Sequence, residues 1–281
     1  MVHNATIHET AGSTGAARIG IPALFVVGGS CQYLGAALGV FLFDTLDPAA
    51  VAWLRAAGAG AVLLLWRRPW RRRRRLVRRD RAVRWTRRRP AVVLAFGLAT
   101  VGMNVVFYEA IDRIPLGAAV AIEFLGPIAV AAAGSRRRRD ILALALVILG
   151  VMAIASSQLD GGAVRLPGIG FALASAGLWA AYILLGKRVA DAGDGIDDLA
   201  IGMAGASLIL APPLLIPVLT RDPGVFAEPR VWLLGLGVGL LSIVVPYVLD
   251  QVVLARIGRA RFALLLALLP TTATVVGAVV L

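Results

Sequence analysis

The sequence predicts an all-α polytopic membrane protein with an internal repeat, and three observations point to that fold class. First, 59% of the 281 residues are hydrophobic, a share above that of soluble globular proteins. Second, the chain contains nine apolar runs, each close to the roughly 20 residues that a helix needs to cross a bilayer. None of them alternates with a period of two, so helices are expected rather than strands. Third, one residue pattern occurs twice within these runs.

The repeated pattern begins at Arg113-Ile114 and again, 143 residues later, at Arg256-Ile257. In both copies a proline follows 14 residues after the arginine, and these prolines are Pro127 and Pro270. A glycine follows seven residues after each proline. Repeated apolar segments interrupted by proline are typical of secondary transporters, whose substrate site lies where the repeats meet.

The predicted spans follow one another through short polar connections. Residues 1–19 lack the apolar core of a signal peptide, so they are expected to form a tail before a retained first helix. Pro115 suits the first turn of the fourth helix. Residues 159–167 contain two adjacent glycines and are predicted to be an external linker between the halves. The nine predicted spans are 20–43, 48–66, 90–110, 115–134, 141–158, 168–186, 198–219, 230–252 and 262–281.

Basic residues are distributed very unequally between the two sides of the predicted bundle. Residues 67–89 alone hold 14 arginines, and four more lie at 136–139. With the other basic residues of the same side the count is 23, against four on the opposite side. Because short loops rich in Lys and Arg stay in the cytoplasm, the N-terminal tail is predicted to be cytoplasmic and the protein to lie in the inner membrane. The arginines are expected to contact anionic lipid, and no nucleic-acid partner is predicted.

Glu123 is the most informative polar residue within a predicted span. A carboxylate near the centre of a membrane helix costs roughly 2.5–3.5 kcal/mol, so a functional role is the default hypothesis. Pro127 lies four residues later and cannot donate a hydrogen bond to the carbonyl of Glu123. The sequence therefore predicts a bend with a free carbonyl beside a carboxylate. Such a place suits a cation, an ammonium group or a proton, and a purely structural carboxylate is the alternative.

Further polar residues occur in the other spans. Tyr247, Asp250 and Gln251 share a face of the eighth span by their spacing. Asp250 also lies near the end of its span, where it would be only interfacial. For the aromatic candidates, core packing is the alternative. The candidates for substrate binding or proton coupling are Glu123, Asp250, Tyr247, Gln251, Asn104, Tyr108, Arg55 and Tyr182, and the predicted helix breaks are at Pro127, Pro270 and Pro246.

Arg55 is the one cation inside an apolar run away from its ends. Three roles are open to it. It could bind a substrate carboxylate, or it could neutralise Glu109 of the third span. Since it lies only one or two turns from the start of its helix, its long side chain could also reach the membrane surface.

At these residues the chain resembles the drug/metabolite transporter superfamily of EamA type, and within it the threonine/homoserine-exporter-like branch. The resemblance covers residues from about 20 onwards. It rests on Glu123-Phe124-Leu125-Gly126-Pro127, on residues 179–188 (Trp-Ala-Ala-Tyr-Ile-Leu-Leu-Gly-Lys-Arg), and on Val245-Pro246-Tyr247 followed by Asp250. Members of the family usually carry Glu at the place of Asp250, so the charge is kept and the side chain is one methylene shorter.

The resemblance implies ten helices in two five-helix repeats of opposite orientation. The first EamA-like repeat would be 20–158, and the second, 168–281, would contain four helices. The tenth helix of the bundle is apparently missing, so the sequence is expected to be a truncated ten-helix protein or a nine-helix form. The resemblance also implies export of amino acids or other small metabolites through the inner membrane.

The mechanism expected for such a protein is alternating access around a midplane cavity. The sequence has no phosphate-binding loop of nucleoside triphosphatases, so an ion or substrate gradient is the expected energy source. Glu123 is the candidate for proton coupling. The predicted partners are a small-molecule substrate and the lipid membrane. No cofactor, metal or catalytic residue is predicted, and a homodimer is left open.

A competing class is an intramembrane enzyme of the magnesium-dependent prenyltransferase type. Such enzymes hold magnesium and diphosphate with clustered aspartates, and this chain has four between 191 and 198. They are Asp191, Asp194, Asp197 and Asp198. A solvated loop explains the same residues, and no second cluster of this type occurs in the sequence. A passive channel is the third class, but no ring of like residues is evident.

Overall fold

The computed structural model describes residues 13–70, 89–134, 166–192 and 195–266, together with Leu269 and a few residues between 142 and 153. Over these residues the chain forms helices joined by short turns and contains no strand, which confirms the predicted all-α class. The helices are α1 (Ser13–Val40), α2 (Pro48–Arg67), α3 (Arg89–Ile111), α4 (Leu116–Glu123), α5 (Leu125–Gly134), α6 (Leu166–Asp191), α7 (Gly195–Arg221), α8 (Pro229–Gly239), α9 (Val245–Arg256) and α10 (Arg259–Leu265).

Six helices of the described part are long and apolar enough to cross a membrane. They are Pro48–Arg67, Arg89–Ile111, Leu116–Gly134, Leu166–Asp191, Gly195–Arg221 and Pro229–Arg256. They coincide with the second, third, fourth, sixth, seventh and eighth predicted spans, so the multi-pass prediction is confirmed. The first span corresponds to α1, which contains the shorter apolar segment Ala23–Gly39. Most of the fifth span, most of the ninth span and the predicted break at Pro270 lie outside the described residues.

The fourth span is broken where the sequence predicts a break. Helix α4 ends at Glu123, Phe124 forms a turn, and α5 begins at Leu125. The backbone N–H of Phe124 still bonds to the carbonyl of Val120 at 3.0 Å. Pro127 has no N–H, so it cannot donate to the carbonyl of Glu123 four residues earlier. The buried carboxylate of Glu123 therefore lies at a helix break.

The eighth span contains a second interruption, between α8 and α9. Residues Leu240–Val244 form a π-helical turn, and Pro246 follows in the first turn of α9. Pro246 cannot donate to the carbonyl of Ser242, and a widened turn accommodates this loss without ending the span. The predicted break at Pro246 is thus a local change of helix type. Such π turns are frequent at functional sites.

Helices from one half of the chain pack against helices from the other half. Helix α3 of the first half packs against α6 and α7 of the second. Conversely, α8 packs against α1 and α2, and α9 against α1. Helix α2 also packs along α7. The third span of each half is therefore enclosed by the first two spans of the other half, and residues of both halves meet in the centre.

Close backbone approach makes the crossing of α3 and α7 possible. Gly97 of α3 lies directly against the backbone of Gly202 of α7, and a Cβ atom at Gly97 would overlap the Gly202 carbonyl. Small residues at such crossings let membrane helices approach closely, which increases van der Waals packing.

We expect Gly97→Ala to lower the thermal stability of the detergent-solubilised protein, because the overlapping atoms belong to backbone and cannot rotate away. Overpacking of this kind costs about 1–3 kcal/mol. The matched control is Gly177→Ala in α6, where a Cβ atom meets nothing within 4 Å. Melting curves measured for both variants check the packing, and equal melting temperatures would contradict it.

Candidate functional site

Arg55 lies in α2, only 3% of it is exposed, and it forms the centre of a polar network. Its Nη1 donates to the hydroxyl of Tyr108, and its Nη2 donates to Oδ1 of Asn104. Both acceptors belong to α3. A guanidinium so far from water is tolerated because Nη1 and Nη2 donate hydrogen bonds, although its buried Nε has no partner among the described residues.

Asn104 extends this network to the second half of the chain. Its Nδ2 donates to the hydroxyl of Tyr247 in α9 at 2.8 Å and to the carbonyl of Thr100 at 2.7 Å. Asn104 and Tyr247 are 143 residues apart, which is also the offset between the two Arg-Ile patterns. Residues at corresponding places in two copies of a repeat can touch only where the copies meet. This hydrogen bond therefore lies at the junction of the two halves.

Glu123 is buried at the end of α4, with 6% of the residue exposed. Its Oε1 accepts a hydrogen bond from Oγ of Ser175, which lies fully buried in α6. The carboxylate is therefore held between the helix break at Phe124 and the middle of α6.

A small cavity of about 20 Å³ lies between Arg55 and Glu123, and we call it the central cavity. This volume suffices for a single water molecule. The hydroxyl of Tyr33, which borders the cavity, is buried and has no hydrogen-bond partner among the described residues. The cavity is lined by Gln32, Tyr33, Ala36, Arg55, Met103, Asn104, Phe107, Glu123 and Tyr247. A guanidinium and a carboxyl group thus face one confined space.

The other candidates form a second polar cluster beside the first. The hydroxyl of Tyr182 in α6 donates to Oδ2 of Asp250 at 3.0 Å. The rings of Tyr182 and Tyr247 have their centroids 5.3 Å apart, which connects the two clusters. Tyr247, Asp250 and Gln251 were predicted to share one face of the eighth span. In the structure Tyr247 hydrogen-bonds to Asn104, and Asp250 hydrogen-bonds to Tyr182. Asp250 is half-buried, and its partner is wholly buried, so it is not merely interfacial.

Two of the roles considered for Arg55 are wrong. Glu109 does not need Arg55, because its carboxylate pairs with Arg113 at 2.6 Å. Arg55 does not reach the membrane surface either, since its donors bond to Tyr108 and Asn104 inside the bundle. Binding of a substrate carboxylate remains as a hypothesis.

The sequence analysis missed several residues of the site. Ser175, which bonds to Glu123, and Gln32, Met103 and Phe107, which line the central cavity, were not among the candidates. Tyr33 was not selected either. Gln32 and Tyr33 are adjacent polar residues in an apolar run, and this was the only local signal for them. Ser175 gave none, because a single serine in a membrane helix is common.

The aspartates of 191–198, which the competing enzyme class would use as a metal cluster, are engaged with basic side chains where the structure describes them. Asp197 pairs with Arg67 at 2.6 Å, and Asp198 pairs with Arg89 at 2.9 Å. Asp191 bonds to Lys187 at 2.6 Å, and Asp194 lies outside the described residues. Over the part of the chain that the structure describes, no group of three acidic, His or Cys side chains could hold a metal ion.

Larger cavities lie towards the two ends of the bundle. A cavity of about 160 Å³ adjoins the end of α2 and the start of α7, at what we call the arginine-rich end. A cavity of about 310 Å³ at the opposite end is bordered by Asp47, Glu109 and Arg221, among others. There Arg221 pairs with Asp47 at 2.9 Å. The central cavity is smaller than both of these, and it is the one bordered by the buried side chains of Arg55 and Glu123.

Comparison with known proteins relates the chain to exporters. Residues 166–281 match the EamA-like transporter family. The threonine/homoserine exporter RhtA of Salmonella typhimurium LT2 is 33% identical over 276 residues, which are 96% of this chain and 86% of that protein. RhtA of Escherichia coli K12 is 35% identical over 247 residues, 88% of this chain and 78% of that protein.

One solved protein structure resembles the bundle with a TM-score of 0.65. The similarity covers 94% of this chain and 88% of the other, at 17% sequence identity. At that level of identity the likeness concerns the fold alone.

We expect Arg55→Met to lower the stability of the bundle, because it leaves the buried hydroxyl of Tyr108 and Oδ1 of Asn104 without their donor. Each unsatisfied buried group costs about 1–3 kcal/mol. Arg221→Met is the matched control, since 72% of that side chain is exposed and exposed ion pairs contribute only about 0–1 kcal/mol.

The measurement is unfolding of the two purified variants in detergent, followed by circular dichroism. A second arm adds Glu123→Gln to Arg55→Met. If Arg55 and Glu123 balance one another across the central cavity, the double variant loses less stability than the sum of the single ones. Strict additivity would show that the two charges do not interact.

Proposed function

Because the chain belongs to the EamA-like transporter family, we propose that it exports threonine, homoserine or similar small amino acids by proton-coupled alternating access around the central cavity. The family is one of transporters, so the chain is not the prenyltransferase-type enzyme that its aspartates left open. The observation that carries the proposal is the pair of buried opposite charges, Arg55 and Glu123, on one cavity where the two halves meet.

The charges of the central cavity match those of an amino acid. The guanidinium of Arg55 presents a planar set of donors that suits a carboxylate. The carboxylate of Glu123, with a carbonyl released by Pro127, suits an ammonium group. Asn104 and the hydroxyls of Tyr33 and Tyr247 add uncharged groups that could contact a side-chain hydroxyl. A zwitterion can thus satisfy both buried charges at once.

Transport requires the bundle to change shape, since a cavity of about 20 Å³ holds a water molecule and not an amino acid. The two interruptions next to the site, at Phe124 and at Leu240–Val244, are where the backbone is free to bend. Opening towards one end would part ion pairs there, such as Arg67 with Asp197 or Arg221 with Asp47. Ion pairs that can open at either end of the bundle suit alternating access, in which the site is exposed to one side of the membrane at a time.

Proton coupling is assigned to Glu123. When the ammonium group leaves, the carboxylate loses the cation that was bound to it inside the bundle, and a proton can take that place on the carboxylate. Ser175 can serve either form, because its hydroxyl donates to a carboxylate and accepts from a carboxylic acid. Inward return of the protonated form would then use the proton gradient to drive export.

The arginine-rich end is assigned to the cytoplasm. The 14 arginines at 67–89 place the strongest positive charge of the chain between the end of α2 and the start of α3. The N-terminal tail would lie on the same side. Substrate would therefore pass from the 160 Å³ cavity through the centre to the 310 Å³ cavity.

We expect Glu123→Gln to abolish threonine uptake driven by a proton gradient into inverted membrane vesicles, with normal abundance in the membrane. The neutral amide is cheaper to bury than the carboxylate, so folding should not suffer. Glu228→Gln is the control, because Glu228 is exposed before α8 and its side chain makes no capping bond. Wild-type uptake with unchanged pH dependence in Glu123→Gln would leave Glu123 as a structural residue.

We expect Arg72→Cys to resist an impermeant thiol reagent added to intact cells, in a background that lacks Cys31, the only cysteine of the chain. Thr45→Cys, in the exposed turn between α1 and α2, should react readily. The reverse pattern would invert the assigned orientation.

A further inference from the structure

The cavity at the arginine-rich end has features of a binding site in its own right. It measures about 160 Å³ and lies between the end of α2, the start of α7 and the end of α9. Its polar lining comes from Arg67, Gln251 and the backbone at Gly195 and Ile196, and its remaining side chains are apolar. Among the residues that the structure describes, no acidic one lines it.

Gln251 is the unusual member of this lining. Only 1% of the residue is exposed, yet neither Nε2 nor Oε1 has a hydrogen-bond partner among the described residues. Buried amides are almost always paired, because losing water without gaining a partner is unfavourable. A group that remains unpaired in this way and borders a cavity is poised for a ligand.

Two glycines keep space open around this amide. A Cβ atom at Gly195 would lie 2.9 Å from Oε1 of Gln251, and one at Gly186 would lie 3.3 Å from Nε2. The first distance is too short for a real contact. Any other residue at position 195 would therefore press on the amide from the side of the cavity.

The groups facing this cavity are mostly donors. Helix α7 is 27 residues long and begins at Gly195. The N–H groups of its first turn have no acceptor within the helix and carry a partial positive charge. The Nε of Arg67 donates a hydrogen bond to Oδ1 of Asp197 at 2.6 Å. The guanidinium of Arg67 carries further N–H donors on its two other nitrogens. Nearby Asp198 and Asp191 are paired with Arg89 and Lys187.

We propose that this cavity is a separate docking site for the carboxylate of the transported amino acid, with Gln251 and the first turn of α7 as its donors. In the structure Oε1 of Gln251 is the amide atom next to Gly195, so binding requires a half-turn of the unpaired amide that brings Nε2 to the side of the cavity. The inference rests on the proposed function, because it places the site on the uptake side of the same path. Gln251 follows Asp250, whose partner Tyr182 packs against Tyr247 at the central cavity. A continuous row of polar groups thus connects this site with the central one.

Direct binding is tested with Ala255→Cys, a position that lines the cavity, in the full-length protein lacking Cys31. We expect L-threonine and acetate to slow alkylation of this cysteine. The carboxyl-free analogue 1-amino-2-propanol should give no protection. Adding Gln251→Met should remove the protection by L-threonine and by acetate, because the amide donor is lost. Equal protection by all three compounds, or protection that survives Gln251→Met, would overturn the proposal.

Transport provides the second readout. In inverted vesicles, Gln251→Met should raise the KM for L-threonine by about tenfold to a hundredfold, the range for loss of a hydrogen bond to a charged group. The maximal rate should stay within about twofold, since central-cavity contacts are unchanged. The melting temperature should not fall, because the replaced amide has no partner to leave behind. A fallen melting temperature with unchanged KM would mean that Gln251 is structural.

Matched controls separate the site from general effects. Ser207→Ala, in α7, removes the hydroxyl Oγ, which is also buried and has no partner among the described residues but does not line the cavity. This variant should leave KM unchanged. Gly195→Ala should raise KM, whereas Gly205→Ala, whose Cβ atom would meet Leu94 at an ordinary 3.6 Å, should not. If wild-type vesicles do not take up L-threonine while carboxylates still protect Ala255→Cys, the proposed transport of threonine is contradicted and the carboxylate docking site is supported.

Discussion

The bundle depends on one constraint, which is that the guanidinium of Arg55 must be satisfied far from water. A buried cation is costly unless acceptors surround it; Nη1 and Nη2 of Arg55 have acceptors, whereas its Nε has none among the described residues. Tyr108 and Asn104 accept from Arg55, and Asn104 in turn donates to Tyr247. These residues lie on α2, α3 and α9, so satisfying one charge joins the two halves of the chain. Gly239 of α8 lies against the backbone of Arg55, which brings the same halves together from another side.

Two prolines interrupt helices beside this network, and they do so in different ways. Pro127 releases the carbonyl of Glu123, and the helix breaks at Phe124. Pro246 releases the carbonyl of Ser242, but a π-helical turn lets the span continue. In both places the backbone loses a hydrogen bond within a buried, polar part of the bundle. The backbone is therefore easier to bend at these two places.

Ion pairs fasten the bundle at both ends. At the arginine-rich end, Asp197 and Asp198 of α7 bind Arg67 of α2 and Arg89 of α3. At the opposite end, Arg221 of the same helix binds Asp47. A metal cluster was one alternative for the acidic residues of segment 191–198, and the partners of Asp197 and Asp198 show a different role. They neutralise arginines that flank the basic segment 67–89 and hold three helices together.

The sequence alone determined the membrane class, the positions of the described spans and the break at Pro127, because apolar length and the missing proline N–H are local properties. It also selected some of the polar residues that turn out to be buried, among them Asn104, Glu123 and Gln251. It did not determine their partners. Three roles stayed open for Arg55, one of them the neutralisation of Glu109, and Tyr33 and Ser175 were not selected. Which helices cross is decided by packing between segments far apart in the chain, such as those of Asn104 and Tyr247, 143 residues apart, and no local periodicity records such a contact. Only the tertiary structure therefore brought Arg55 and Glu123 to one cavity and left Gln251 facing another.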